Sequence, residues 1–149
     1  MAGGRIVGSA YRIPQLHHSV RCVFTNTMPV AAYRGAGRPE ACYVMERVME
    51  RAARQLGIDG VTLRKINFIS AEEMPYTLPS GVVISSGEFA QTLDMALAQA
   101  DWQNYAARVA ESSAKGRLRG IGLGYYIETS GGGVEEEARI TVREDGQID

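Results

Sequence analysis

The chain has 149 residues, 45% of them hydrophobic and 22% charged, with a formal net charge of −1. That length suits one domain with a real core, and the near-zero charge removes the electrostatic case for a nucleic-acid or acidic-membrane partner. No apolar run approaches the roughly 20 residues of a membrane span, and the opening MAGGRIVGSAYRIP lacks the apolar stretch of a secretory leader.

Ser9–Pro14 is expected as a short extended stretch, because Pro14 pushes the preceding residue out of helical space. His17 and His18 are adjacent and would point to opposite sides of an extended segment, which suits solvent or hydrogen bonds rather than one metal ion. Val20–Thr25 alternates β-branched and aromatic residues and is expected as a strand. Cys22 and Cys42 belong to no CxxC pair, which leaves iron–sulfur and zinc sites unsupported. They are expected as buried, reduced thiols in a soluble, cytoplasmic protein.

The strand feeds AYRGAGRPEA, Ala32–Ala41, around which the chain is organised. Gly35 and Gly37 permit positive φ and close backbone approach to a ligand. The first amides of the helix that follows carry partial positive charge, and Arg34 and Arg38 add two permanent cations. Physically this is either a cradle for an anionic group or a plain turn into a helix.

The helix is expected from Pro39 to about Leu56, with Pro39 in its first turn and Gly57 just past its end. Ala41, Val44, Met45, Val48, Met49, Ala52, Ala53 and Leu56 follow helical spacing and are expected as its core face. Glu46, Arg47, Glu50, Arg51 and Arg54 form the opposite, solvated or subunit-facing side, with Glu50 and Arg54 spaced for an i, i+4 pair. A short helix is expected at Val61–Asn67, packed through Leu63 and Ile66. Ser70–Gly81 is punctuated by Pro75, Pro79 and Gly81 and reads as irregular. Ser85 or Ser86 is expected to cap a second helix ending near Asp101–Trp102, and a third spans Asn104–Ala114. Gly120–Thr129 reads as a buried strand whose Gly122 and Gly124 invite a close neighbour. Ser130–Gly133 is a glycine loop, and Ala138–Val142 the next strand.

Several phrases carry a resemblance, and they occur in one order: TNTMPVAAYRGAGRPEA, MERAARQLGID, NFI, MPYTLPSG, SSGEF and RLRGIGLGYYIETSGGG. Together they resemble the molybdopterin-binding subunits of the molybdenum-hydroxylase family, of xanthine dehydrogenase, aldehyde oxidase and carbon monoxide dehydrogenase large-chain type. The resemblance implies an α+β piece of the molybdenum-cofactor-binding domain: a mixed small sheet packed against one long and two or three shorter helices. It also implies that residues 1–149 are a partial domain, truncated at both ends. The cofactor would be molybdopterin, as a dinucleotide, in the full-length parent, with none bound to the fragment. Partners would be iron–sulfur and FAD subunits or domains, a small-molecule substrate and a second copy of the chain.

Carried over position by position, Tyr33, Arg34, Gly35, Ala36 and Gly37 match the family's molybdenum-facing loop and would bind the cofactor. Arg34 is the catalytic candidate, as a fixed positive charge beside developing anion, and Arg38 would order the loop or pair with a carboxylate. Ser130, Gly131 and Gly132 match a segment lining the substrate pocket, alternatively a plain hairpin turn. No protein residue is expected to ligate the metal. Glu128 is set aside as general base, because the family's catalytic glutamate lies near the end of the full subunit. Two departures bear on substrate. Carbon monoxide oxidisers carry cysteine where this chain has Gly35, and xanthine and aldehyde enzymes carry an aromatic residue where it has Ala36. The expected parent therefore hydroxylates an aldehyde or aromatic heterocycle with water and does not oxidise CO. A catalytically inactive subunit-interaction or anion-binding fragment is the alternative.

Overall fold

The computed structural model describes residues 2–29, 31–128 and 137–148. A one-turn helix, α1 (Ala2–Arg5), is followed after a long irregular stretch by α2 (Arg38–Leu56) and then α3 (Gly60–Asn67). A single-turn 3-10 segment precedes β1 (Tyr76–Thr77) and β2 (Val83–Ile84), which pair antiparallel with Tyr76 opposite Ile84. The chain closes with α4 (Phe89–Gln99) and α5 (Tyr105–Ala114). The α+β class is as expected, with an antiparallel pair as its sheet rather than a mixed one, and Ser70–Gly81 is less irregular than its prolines suggest.

Local chemistry sets the helix ends. Gly37 adopts φ 93° before α2, Pro39 sits in the first turn, and Gly57 at φ 66° donates its N–H to Ala53 and Arg54 carbonyls. Asp59 caps α3 by accepting the Thr62 N–H at 2.8 Å. α4 begins after Glu88 rather than at a serine cap. The Phe89 ring lies so close over Gly87 that a Cβ there would meet it at 2.5 Å.

The core gathers Tyr11, Met45, Met49, Ala53, Leu63, Phe68 and Leu93. Tyr11 stacks on Phe68 with ring centroids 5.4 Å apart, and Phe68 meets Tyr125 at 4.7 Å. Each such side chain withdrawn from water contributes about 1.5–3 kcal/mol. Ile69, Leu78 and Ile84 form a smaller cluster under the hairpin.

Several expectations are overturned. Val20–Thr25 is extended but exposed, with Phe24 fully in solvent, and Cys22 within it is exposed too rather than buried. Residues 120–128 likewise join no ladder among the described residues, with Thr129 outside them; Val142 makes a single bridge, to Ile148. A strand exists only where a second segment takes its hydrogen bonds, and none among the described residues does so here. The alternation along residues 121–128 is nonetheless real. Leu123, Tyr125 and Ile127 pack inward, while Gly122 and Gly124 face open space, where an added Cβ would meet nothing within 4 Å. On α2, Val44, Val48 and Leu56 are exposed, as is Ile66 on α3, whereas Glu46 is buried.

Candidate functional site

The loop before α2 is tightly wound. Gly35, Ala36 and Gly37 have φ of 93°, 46° and 93°, and the Ala36 and Arg38 N–H groups donate to the Tyr33 and Gly35 carbonyls at 2.8 and 3.0 Å. The first bond consumes a loop amide and the second one of the four orphan amides of the helix start; Pro39 has none to offer. The loop is thus a poorer anion cradle than its glycines suggest. Its other side is braced by α1: a Cβ on Gly3 would fall 2.1 Å from the Gly37 carbonyl oxygen.

A cavity of about 1080 Å³ opens between α2 and the outward side of residues 121–128, with Arg34, Gly35 and Arg38 at one end. Tyr33, Ala36 and Gly37 do not line it. Tyr43 and Cys42 face it from α2, and Gly122, Gly124, Tyr126 and Glu128 from the extended segment. Those four alternate positions share one side, as residues two apart along an extended chain must, and Ile121 and Leu123 between them reach the cavity as well. Arg38 Nε lies 3.0 Å from Glu128 Oε1 and so ties the loop to that segment. Ser130, Gly131 and Gly132 lie outside the described residues.

The cavity lining includes Glu46 and Arg64, the centre of a buried polar network absent from the sequence reading. Arg64, 1% exposed, donates from Nε to Glu46 Oε2 at 2.9 Å, from Nη1 to the Gly60 carbonyl at 2.9 Å, and from Nη2 to the Leu123 carbonyl at 3.5 Å. Tyr11 Oη donates to Glu46 Oε1 at 2.5 Å. Burial, reinforced by the Glu46 carboxylate, drives the Tyr11 phenol far above its ordinary range. Burial also raises the Cys42 thiol, with Glu46 adding to it, and Cys42 Sγ donates weakly to the Tyr125 carbonyl at 3.8 Å. This thiol is a poor nucleophile. A signal for the network was present: at about 100° per residue Glu46 lies within about 20° of Ala53 on the helix wheel.

Among the described residues no group of three or more His, Cys, Asp or Glu is placed to hold a metal ion, and no helix is long and apolar enough to cross a membrane. A molybdenum cofactor held by its pterin needs no such cluster. The residues present fit that group: the cavity is at the upper end of small-molecule site volumes, and Arg34 and Gly35 are among its lining residues.

Comparison with known proteins agrees. Residues 1–68 match the molybdopterin cofactor-binding domain. The chain is 36% identical to the carbon monoxide dehydrogenase large chain of Hydrogenophaga pseudoflava over 86% of its own length and 17% of that protein's. It is 30% identical to the 6-hydroxypseudooxynicotine dehydrogenase complex subunit gamma of Paenarthrobacter nicotinovorans, over 96% of this chain and 19% of that one. Among solved structures, quinoline 2-oxidoreductase from Pseudomonas putida 86 superposes with a TM-score of 0.68 at 30% identity, covering 77% of this chain and 15% of that chain. The chain thus spans about a fifth of the length of the curated relatives it matches. Motifs in order, a matching cofactor-domain model and a shared backbone place the chain in the molybdenum-hydroxylase family, among its molybdopterin-binding subunits.

Proposed function

We propose that the chain is part of a molybdenum-dependent oxidoreductase subunit whose parent hydroxylates an aldehyde or aromatic heterocycle with water, working with iron–sulfur and FAD subunits. The observation that carries this reading is the wound loop, which sets Arg34 and Gly35 in the lining of a cofactor-sized cavity. Bound there, the cofactor supplies the two-electron oxidation. The chain's own part is to bind and orient. The Gly35–Gly37 backbone bends to let a large group approach, and Arg34 presents a fixed cation to charge that develops during reaction. Gly35 in place of cysteine sets CO aside as a substrate, and Ala36 supplies no aromatic ring beside the loop for a purine to stack on. As cofactor-binding residues we assign Tyr33, Arg34, Gly35, Ala36 and Gly37, with Ser130, Gly131 and Gly132 on the substrate side.

The test uses a parent polypeptide containing this segment, produced in a host that makes the cofactor. Expected are about one molybdenum per chain by elemental analysis, turnover of an aldehyde or a quinoline-like heterocycle with a dye acceptor, and label from isotopic water in the product. Arg34→Lys should keep molybdenum but lower kcat by roughly 10²-fold, the scale for losing one transition-state donor. Metal-free parent protein, or CO as the preferred substrate, would overturn the proposal. Stoichiometric molybdenum on the 149-residue chain alone would overturn its fragmentary part.

A further inference from the structure

The cavity has two walls that belong to different parts of the chain. One is the start of α2 with its loop. The other is the outward side of residues 121–128, an extended segment with no strand partner among the described residues. Among the described residues no β-ladder fixes the second wall to the first. Side chains among the described residues fasten the segment instead: Arg64 to the Leu123 carbonyl, Cys42 to the Tyr125 carbonyl, and Arg38 to Glu128, with Tyr125 Oη also donating to the Phe89 carbonyl at 3.0 Å. The first two are long, at 3.5 and 3.8 Å, and involve Arg64, Leu123 and Cys42, which line the cavity farther from the loop. The third, at 3.0 Å, is short, charged and immediately beside the loop, one residue after Gly37.

We infer that Arg38 and Glu128 are positioning residues: their ion pair sets the spacing between the Tyr33–Gly37 loop and the Gly124–Tyr126 wall, and so the direction in which Arg34 enters the cavity. The inference rests on the cofactor-loop reading above. It assigns Glu128 a role other than proton transfer, since its carboxylate is already engaged by a permanent cation. It also explains why an arginine follows the loop's second glycine. A residue there heads a rigid helix, and its side chain reaches the facing segment across the cavity. The pair is partly exposed, at 27% and 43% for the two side chains, so it acts through geometry more than through overall stability.

Cys42 gives a direct readout, because its thiol lies against the Tyr125 carbonyl under the same segment while Cys22 is exposed. Labelling the 149-residue chain with a maleimide at fixed pH should be biphasic, fast at Cys22 and slow at Cys42. Arg38→Gln and Glu128→Gln should each speed the slow phase about two- to fivefold, the range open to an ion pair of this exposure. The Arg38→Gln/Glu128→Gln double variant should be no faster than either single one, and Glu128→Asp should restore much of the protection. Hydrogen exchange at Ala36 and Arg38 should rise in step, reporting the loop itself. Unchanged helical circular dichroism and an unchanged urea midpoint would certify that the variants fold, with Cys22 labelling as the internal rate reference. Singles that leave the slow phase unaltered, or effects that add in the double variant, would overturn the inference. Neither readout needs cofactor or turnover, so a metal-free parent would remove the cofactor reading and leave the pairing to be judged separately.

Discussion

Replacing Glu46 by leucine tests the buried network most severely. In the wild-type chain Arg64 is 1% exposed and is neutralised chiefly by Glu46 at 2.9 Å, with Glu50 Oε2 farther away at 3.6 Å. Glu46→Leu would leave a guanidinium buried with its backbone bonds and one distant carboxylate. Removing one partner of a buried pair costs about 3–5 kcal/mol, and the Tyr11 hydroxyl losing its acceptor adds about 1–3 kcal/mol. Glu50 offsets part of this, leaving a net loss of roughly 4 kcal/mol out of the ~5–15 kcal/mol that holds a domain together. Urea unfolding followed by circular dichroism checks it. With a slope of about 1.5 kcal/mol per molar, the midpoint should fall by roughly 2–3 M. The variant Glu46→Leu/Arg64→Met, which removes both charges and keeps apolar volume, should recover at least half of that loss. A midpoint shift below about 0.5 M, or a double variant as unstable as the sum of its singles, would refute the reasoning.

Alkaline pH probes the same network from the Tyr11 side. The phenol titrates near 10 in the unfolded chain and well above that in the folded one, so above pH 10 the native state holds the extra proton and stability falls as pH rises, by up to about 1.4 kcal/mol per unit. Tyr125 is raised in the same direction by burial. Tyr11→Phe should flatten the dependence of the urea midpoint on pH between 10 and 11; an unchanged slope would remove Tyr11 as its source. At the loop, Gly3→Ala places a methyl group 2.1 Å from the Gly37 carbonyl oxygen, and should cost about 1–3 kcal/mol while raising hydrogen exchange at Arg38. Ala36→Gly relieves a φ of 46° but frees the unfolded chain, so its unfolding free energy should stay within about 0.5 kcal/mol of wild type.

What the sequence made legible was whatever one segment decides for itself. Pro39 and Gly57 bracket α2, Asn104–Ala114 nearly coincides with α5, and the family phrases identify the loop. What it hid were properties of pairs. Val20–Thr25 and Gly120–Thr129 carry good alternation, yet a ladder needs a second strand that their own letters do not supply. Glu46 looked solvated because charge usually marks the water side. It is turned inward by Arg64, 18 positions on, and Tyr11, 35 positions back. The buried arc of α2 is accordingly rotated toward Glu46, and Val44 and Val48, on the far margin of the apolar stripe, stay exposed.

The two halves of the site are therefore bound by one helix. Its N-terminus holds the loop, two turns later Glu46 anchors it to Arg64, and between them Cys42 and Tyr43 face the cavity. Successive positive φ values at Gly35, Ala36 and Gly37 are costly where Ala36 must adopt one, and such a conformation persists only if its surroundings over-determine it. Here Gly3 braces Gly37 from below, Arg38 is tied sideways to Glu128, and Glu46 fixes the axis of the helix from within the core. Loss of the Arg38 tie should loosen the loop locally, whereas loss of Glu46 should release helix and loop together. The strain carried by Ala36 is thus sustained by contacts that lie outside the loop, which is why the glycines alone do not define the site.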